Sequence, residues 1–555
     1  MASAGKARRP LGWMMAAWAL AVPFSGSVSA LALMAQPLAA QSSGAAASAM
    51  AEMTSYARAV AEAAAADPAL ASFYATRHYE PIWTSGADAA RREAFFAALA
   101  GAGAHGLPLG RYDAEGLKAG FRTLQSERQR GQLEVAMSTA FLRYARDIQS
   151  GVLTPSKIDS HIVRDIQRPD PLVQITAFAA ASPAAYLRSL PPAAPQYAQL
   201  MKAKADLEAL SLSGGWGAKV PGGKLSPGDQ GKAVIALRDR LQAMGYLGRS
   251  AAASFDAEMK KAVEAFQADH GLAADGVAGE GTIAELNREP QDRLRSVIVA
   301  MERLRWMHGI EMSHRYIWVN LPDFTAKVFD DGKLTFETVA VVGMNQSDRK
   351  TPEFSDQMEY MVVNPTWNVP RSITVKEYLP MMQANPNAAG HLTIVDGQGR
   401  AVPRSAINFA QYTARTFPFG MKQPPSDGNA LGLVKFMFPN KWNIYLHDTP
   451  SKSLFNREVR AFSHGCVRLQ QPFDFAYTLL EKQTSDPEGL FGQHLRSKSE
   501  TVISLAEPVP VHLVYFTAWP TARGGMEYRR DIYSRDKALF DALAKAGVAL
   551  GAVQG

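Results

Sequence analysis

The stretch Arg460–Pro472 reads RAFSHGCVRLQQP and holds Cys466, the one cysteine in 555 residues. A single thiol closes no internal disulfide and builds no multi-thiolate zinc site. It is inert core filling or it is a reagent. Its neighbours favour the reagent. An imidazole beside a thiol takes its proton or favours the thiolate, and two candidates are near: His464, and His447 sixteen residues before Ser463. Gly465 lets the backbone bend so that amides near Cys466 face one oxygen, as an oxyanion hole needs. Arg468 adds a fixed cation suited to a substrate carboxylate, or to a buried ion pair with an Asp. A zinc site on His447, His464 and Cys466 fits poorly, because the His464–Cys466 separation is awkward and no HExxH-type helper exists. The expectation is no metal and no cofactor.

Outward from this motif, residues 297–525 read as β-rich. YIWVNLPDFTAKVFDDGKLTFETVAVVG alternates apolar and polar residues around an Asp331-Gly332 hairpin turn, after an Arg-rich helix at Val297–Trp306. Further strand-like runs are Tyr360–Val363, Asn443–Leu446 and Val509–Thr517. A Pro/Asn/Gly-rich stretch, 377–440, interrupts the pattern and is long enough to be a lid. Residues 526–555 read as a helical tail. Residues 45–214 are Ala- and Leu-rich with helical spacing, as in Ala51–Ala66 and Gln132–Ser150, and Phe73, Tyr74, Tyr79 and Trp83 read as core. A Gly/Pro/Ser linker, 215–230, leads to a three-helix unit, 231–288, with a turn at Asp275-Gly276 and Gly279, and Thr282 as the cap of its third helix.

At the N-terminus, Lys6, Arg8 and Arg9 precede an uncharged apolar run from Leu11 to about Ala35, followed by small residues. This is the layout of an export signal over residues 1–40, cleaved after Ala40, with an uncleaved inner-membrane anchor as the alternative. Composition describes a globular chain: 47% hydrophobic, 20% charged, net +7 from 59 basic and 52 acidic residues. That excess is too small for a nucleic-acid binder.

The string from His447 to Ser463-His464-Gly465-Cys466-Val467-Arg468 resembles the active-site signature of L,D-transpeptidases, cysteine enzymes that cross-link peptidoglycan. Asn364–Ile373, Lys376–Pro380, Asn429–Asn440, Tyr445–Phe455, Tyr515–Trp519 and Phe73–Trp83 resemble its large multidomain subgroup of Gram-negative periplasms. The unit 231–288 is similar to peptidoglycan-binding modules. The resemblance implies an α+β multidomain fold: a helical scaffold, an all-α peptidoglycan-binding module and a β-rich catalytic domain with a capping insertion. It also implies Cys466 as nucleophile, His447 as general base, and backbone amides around His464, Gly465 and Cys466 as the oxyanion hole. Asn364, Trp367, Tyr445, Ser463 and Arg468 would line the substrate pocket. A tetrapeptide stem would be cleaved at its terminal D-residue and its acyl group passed to a neighbouring stem amine. Cell-wall synthases are implied partners and carbapenems implied inhibitors. The chain departs from the subgroup at Gln423-Pro424-Pro425. Water or a lipoprotein lysine as acceptor, and a non-catalytic wall-binding scaffold, are the competing functions.

Overall fold

The computed structural model describes residues 53–521 and 524–550, so the segment 1–40, expected to direct export, lies outside them. Among the described residues no helix is long and apolar enough to cross a membrane.

Glu127–Ser150 is the axis of the helical part. Ser126 caps it by accepting from the Gln129 amide at 3.2 Å. Shorter helices start at Pro after a capping Asp: Asp67 for Pro68–Thr76 and Asp170 for Pro171–Ala180. Phe73, Tyr74 and Trp83 are fully buried against the axis, and Tyr79 packs at the edge. The buried Glu134 carboxylate accepts from the Ile82 amide at 2.7 Å and the Thr84 hydroxyl at 2.8 Å. Among the described residues the first helix is Ser55–Ala64, and Ala51 lies outside them.

The module has the three expected helices, Lys232–Ala243, Ala257–Asp269 and Glu280–Leu286. Buried Arg240 ties the linker to it, donating to the carbonyls of Gly217, Leu286 and Arg288. Thr282 is not the cap of the third helix. Gly279 holds that place, and Thr282 is buried one turn in, where its hydroxyl accepts from Gln267 at 3.1 Å. The module rests on the segment 526–530: Arg529 donates to the Asp269 carbonyl, and Tyr528 stacks on His270.

The catalytic part is built on β1 (Tyr316–Asn320), β2 (Thr325–Asp330), β3 (Lys333–Gly343), β4 (Phe354–Val363), β5 (Trp367–Asn368), β6 (Thr393–Val395), β7 (Gly420–Gln423), β8 (Val434–Met437), β9 (Leu446–His447), β10 (Ala461–Ser463), β11 (Val467–Leu469), β12 (Thr501–Val514), β13 (Ala518–Pro520) and β14 (Met526–Tyr528). Nine strands form one sheet in the order β10-β3-β11-β9-β8-β4-β12-β1-β2. Because β2 also pairs with β3, the sheet closes on itself around an apolar core. Asp331 and Gly332 both have positive φ, the two-residue turn that matches strand twist. The helix before β1 is longer than expected, Pro290–Arg305.

Two boundaries differ from the sequence reading. The insertion does not run 377–440. It begins with β5 and has its own sheet, β5-β7-β6, and its own core of Trp367, Ile373, Leu379, Met382, Ile394 and Phe417. It ends before β8, which pairs with β4 and β9 in the main sheet. The tail is not all helix. Its start, β14, pairs with β13, and among its described residues only Arg535–Lys545 is helical.

Candidate active site

Cys466 sits on the tight connection between β10 and β11. The turn is closed from inside: the Ser463 hydroxyl donates to the Cys466 carbonyl at 2.5 Å and accepts from the Gly465 amide at 3.1 Å. Gly465 has φ +123°, a region L side chains avoid. Thr351 braces the turn, donating to the Gly465 carbonyl at 2.7 Å. The half-buried thiol donates to the Asn443 carbonyl at 3.5 Å.

His447 lies on β9, between β8 and β11. Register places Lys435 opposite it on one side and Arg468 on the other. Directly paired residues share a face of a sheet, so Lys435, His447 and Arg468 form a cationic row across three strands. The imidazole Nδ1 lies 2.5 Å from the Asp448 carbonyl, which assigns the proton to Nδ1 and leaves Nε2 as the acceptor. Burial, reinforced by Arg468 and Lys435, pushes His447 down to about 3, while the carbonyls of Asp448 and Leu431 act the other way. Burial pushes the Cys466 thiol up to about 11, against the Tyr445 amide and hydroxyl, Arg468 and Lys435, which favour the thiolate. The resting pair is therefore a neutral thiol and a neutral imidazole.

Comparison with known proteins fits this geometry. Residues 314–490 match the family described as L,D-transpeptidase catalytic domain. This segment belongs to that family. Residues 68–203 match a scaffold domain, and 230–286 a provisionally named peptidoglycan binding domain. A Haemophilus influenzae protein provisionally named as an L,D-transpeptidase is 37% identical over 226 residues, 40% of this chain and 45% of that protein. The match thus spans less than half of that relative. Two L,D-transpeptidase crystal structures are more distant. The one from Xylanimonas cellulosilytica has 16% identity over 54% of this chain and 98% of its own, with a TM-score of 0.16. The one from Stackebrandtia nassauensis has 17% identity, 54% and 96% coverage and a TM-score of 0.21. At those TM-scores neither bears on the fold.

The transpeptidase domain brings Cys466, His447, Tyr445 and Arg468 together and places the other sequence candidates elsewhere. Arg468 has no carboxylate partner among the described residues, and its Nε is buried without a hydrogen bond. The ion-pair alternative for it is not what the structure shows. Ser463 is spent on the turn. Asn364, with φ 51°, donates to the carbonyls of His494, Leu495 and Ser499, so it ties down a helix end. Trp367 is core of the insertion. The Gly465 amide faces Ser463, which removes it from the expected oxyanion hole; among the described residues the amides of His464 and Cys466 have no partner. The His464 ring reaches Glu377 at 2.6 Å. Asp448 does not orient His447 with its carboxylate, which binds Lys452 and the Leu433 amide; its carbonyl does the orienting. Sequence reasoning missed Lys435, Asn443 and Glu377. Lys435 lay inside a quoted motif, but only strand register puts it beside His447.

Proposed function

We propose that the chain is an exported cysteine L,D-transpeptidase that forms 3→3 cross-links in peptidoglycan. The observation that carries this reading is the Cys466 thiol in a braced turn one strand away from an Nδ1-anchored, neutral His447, inside a transpeptidase-family domain.

The thiol leaves the Asn443 carbonyl and gives its proton to His447 Nε2 as Sγ bonds to the carbonyl carbon of the third stem residue. The imidazolium so formed is stabilised by the carbonyls of Asp448 and Leu431. The tetrahedral oxyanion takes the unpartnered amides of the 464–466 turn. The C–N bond to the terminal D-residue breaks, and the leaving amine takes the proton from His447. In the second half a stem amine attacks the thioester and loses its proton to His447, and the thiolate departs and is reprotonated. One amide replaces another, so no external energy source is required. The module at 230–286 would hold the chain on peptidoglycan, and segment 1–40 would carry it to the periplasm.

The test is incubation of purified full chain with disaccharide tetrapeptide, followed by mass spectrometry. The expected product is a 3→3 dimer, absent with Cys466→Ala. Tripeptide alone would make the acceptor water and replace transpeptidation by hydrolysis. No turnover, with peptidoglycan still bound, would leave only a scaffold.

A further inference from the structure

The insertion is clasped to the nucleophile turn by one carboxylate. Its first helix runs through Arg371–Ile373, a π-helical turn at Thr374–Tyr378, and Leu379–Ala384. A π-turn within a helix often marks a functional position. Glu377 projects from this one. A single oxygen of Glu377, Oε1, accepts from His464 Nε2 at 2.6 Å and from Arg349 Nη2 at 2.6 Å. Beside it Lys376 pairs with Asp348 at 2.5 Å. His464 is two residues from Cys466, so their Cα atoms lie within about 7 Å. Arg349 comes from a loop beside the same turn: a Cβ on Gly465 would lie 3.8 Å from the Arg349 carbonyl.

We propose that Arg349 and His464 form a carboxylate-binding subsite for the peptide donor, and that Glu377 occupies it in the free protein. The donor carboxylate displaces Glu377 and thereby unclasps the insertion. The inference rests on the reading of Cys466 as a peptide acyl carrier. Three features support it. Two cationic or donor groups converge on one oxygen beside the nucleophile, which is how a peptide carboxylate is recognised. The clasp is part-exposed, with side-chain exposures of 20% for Arg349, 33% for His464 and 34% for Glu377, so a competing anion reaches it and little binding energy opposes the exchange. The insertion has a core of its own and shares Tyr445 with the main core, so it is built to shift as a body.

The test is calorimetric binding of the tetrapeptide L-Ala-γ-D-Glu-meso-diaminopimelate-D-Ala to the full chain carrying Cys466→Ala. Three derivatives are compared, amidated at the C-terminus, at the glutamyl carboxylate and at the free carboxylate of diaminopimelate. Removing the occupant with Glu377→Gln is expected to tighten the free tetrapeptide at least about threefold, because the competing state no longer takes its share. One of the three amidated derivatives loses that gain and identifies the carboxylate bound. Arg349→Gln is expected to weaken the free tetrapeptide and leave that derivative unchanged. Should Glu377→Gln fail to fold, Glu377→Asp, too short to reach both donors, is expected to tighten in the same way. An unchanged or weaker affinity in the Glu377 variants, an equal gain with all four peptides, or no binding by any peptide overturns the subsite. The measurement needs no turnover. A Glu377 effect without cross-linking by the wild type would keep the subsite and sink the proposed function, and cross-linking without a Glu377 effect would do the reverse.

Discussion

Cys466 and His447 rest uncharged, and that state sets what the thiol does without substrate. A free thiol reacts as its thiolate. With the thiol pushed up to about 11 by burial, the thiolate fraction grows tenfold per pH unit up to that value and is small at neutral pH. The rate of Cys466 alkylation by iodoacetamide should therefore climb through neutral pH and level off near pH 11. A plateau reached below pH 7 would mean a standing thiolate–imidazolium pair instead. An acyl substrate held in the site beside His447 evades this limit, because His447 accepts the proton during attack. A carbapenem should accordingly leave one covalent adduct on Cys466 at pH 7, visible by intact mass. No adduct at saturating drug would remove Cys466 as an acylatable thiol. Gly465 limits the same turn: Gly465→Ala adds a side chain at φ +123° and puts its Cβ 3.1 Å from Ile444 Cδ1. It is expected to cut acylation by changing the course of the turn, with the thiol still present by titration.

At the scale of elements, the hairpin at Asp331-Gly332 and the module helices were legible because their signals are local. A two-residue turn with positive φ demands Asn, Asp or Gly, and apolar residues three and four apart specify a helix face. The edges of the insertion were not legible. Val434–Met437 is four residues long in a Pro/Asn-rich setting, and it becomes a strand through pairing with β4 and β9. Lys435 and Asn364 share this cause: their roles come from register and from a distant helix end. Asn364 offers a test of which reading holds. Asn364→Ala removes donors to three carbonyls and puts Ala at φ 51°. It should cost about 2–4 kcal/mol by urea unfolding. A raised KM at unchanged stability would instead return Asn364 to the substrate pocket, where the sequence reading had put it.

Across the whole molecule, the helical part, the catalytic sheet and the C-terminal helix meet at Glu353. Its amide donates to the His161 carbonyl at 2.8 Å, and its carbonyl accepts from the Val163 amide at 3.0 Å. Its buried carboxylate pairs with Arg303 at 3.4 Å and Arg535 at 3.1 Å. Arg535 reaches on to Asp159 at 3.2 Å and to the Thr351 carbonyl at 2.9 Å, and the Thr351 hydroxyl braces Gly465 beside the nucleophile. The scaffold helices are thus linked to the Cys466 turn through one carboxylate. Breaking a buried pair costs more than the pair contributes, because a charge is left without a partner. Glu353→Ala takes one of two carboxylates from each arginine, leaving Arg303 with Asp536 and Arg535 with Asp159, and should lower unfolding stability by about 3 kcal/mol. Removing the exposed pair Lys202–Asp206, with side chains 77% and 62% exposed, should change it by less than about 1 kcal/mol. Urea unfolding followed by tryptophan fluorescence reads both, since the buried Trp306 is the C-cap of the helix that carries Arg303. Equal small losses would mean that water reaches Arg303 and Arg535, and that the three parts are held by apolar packing alone.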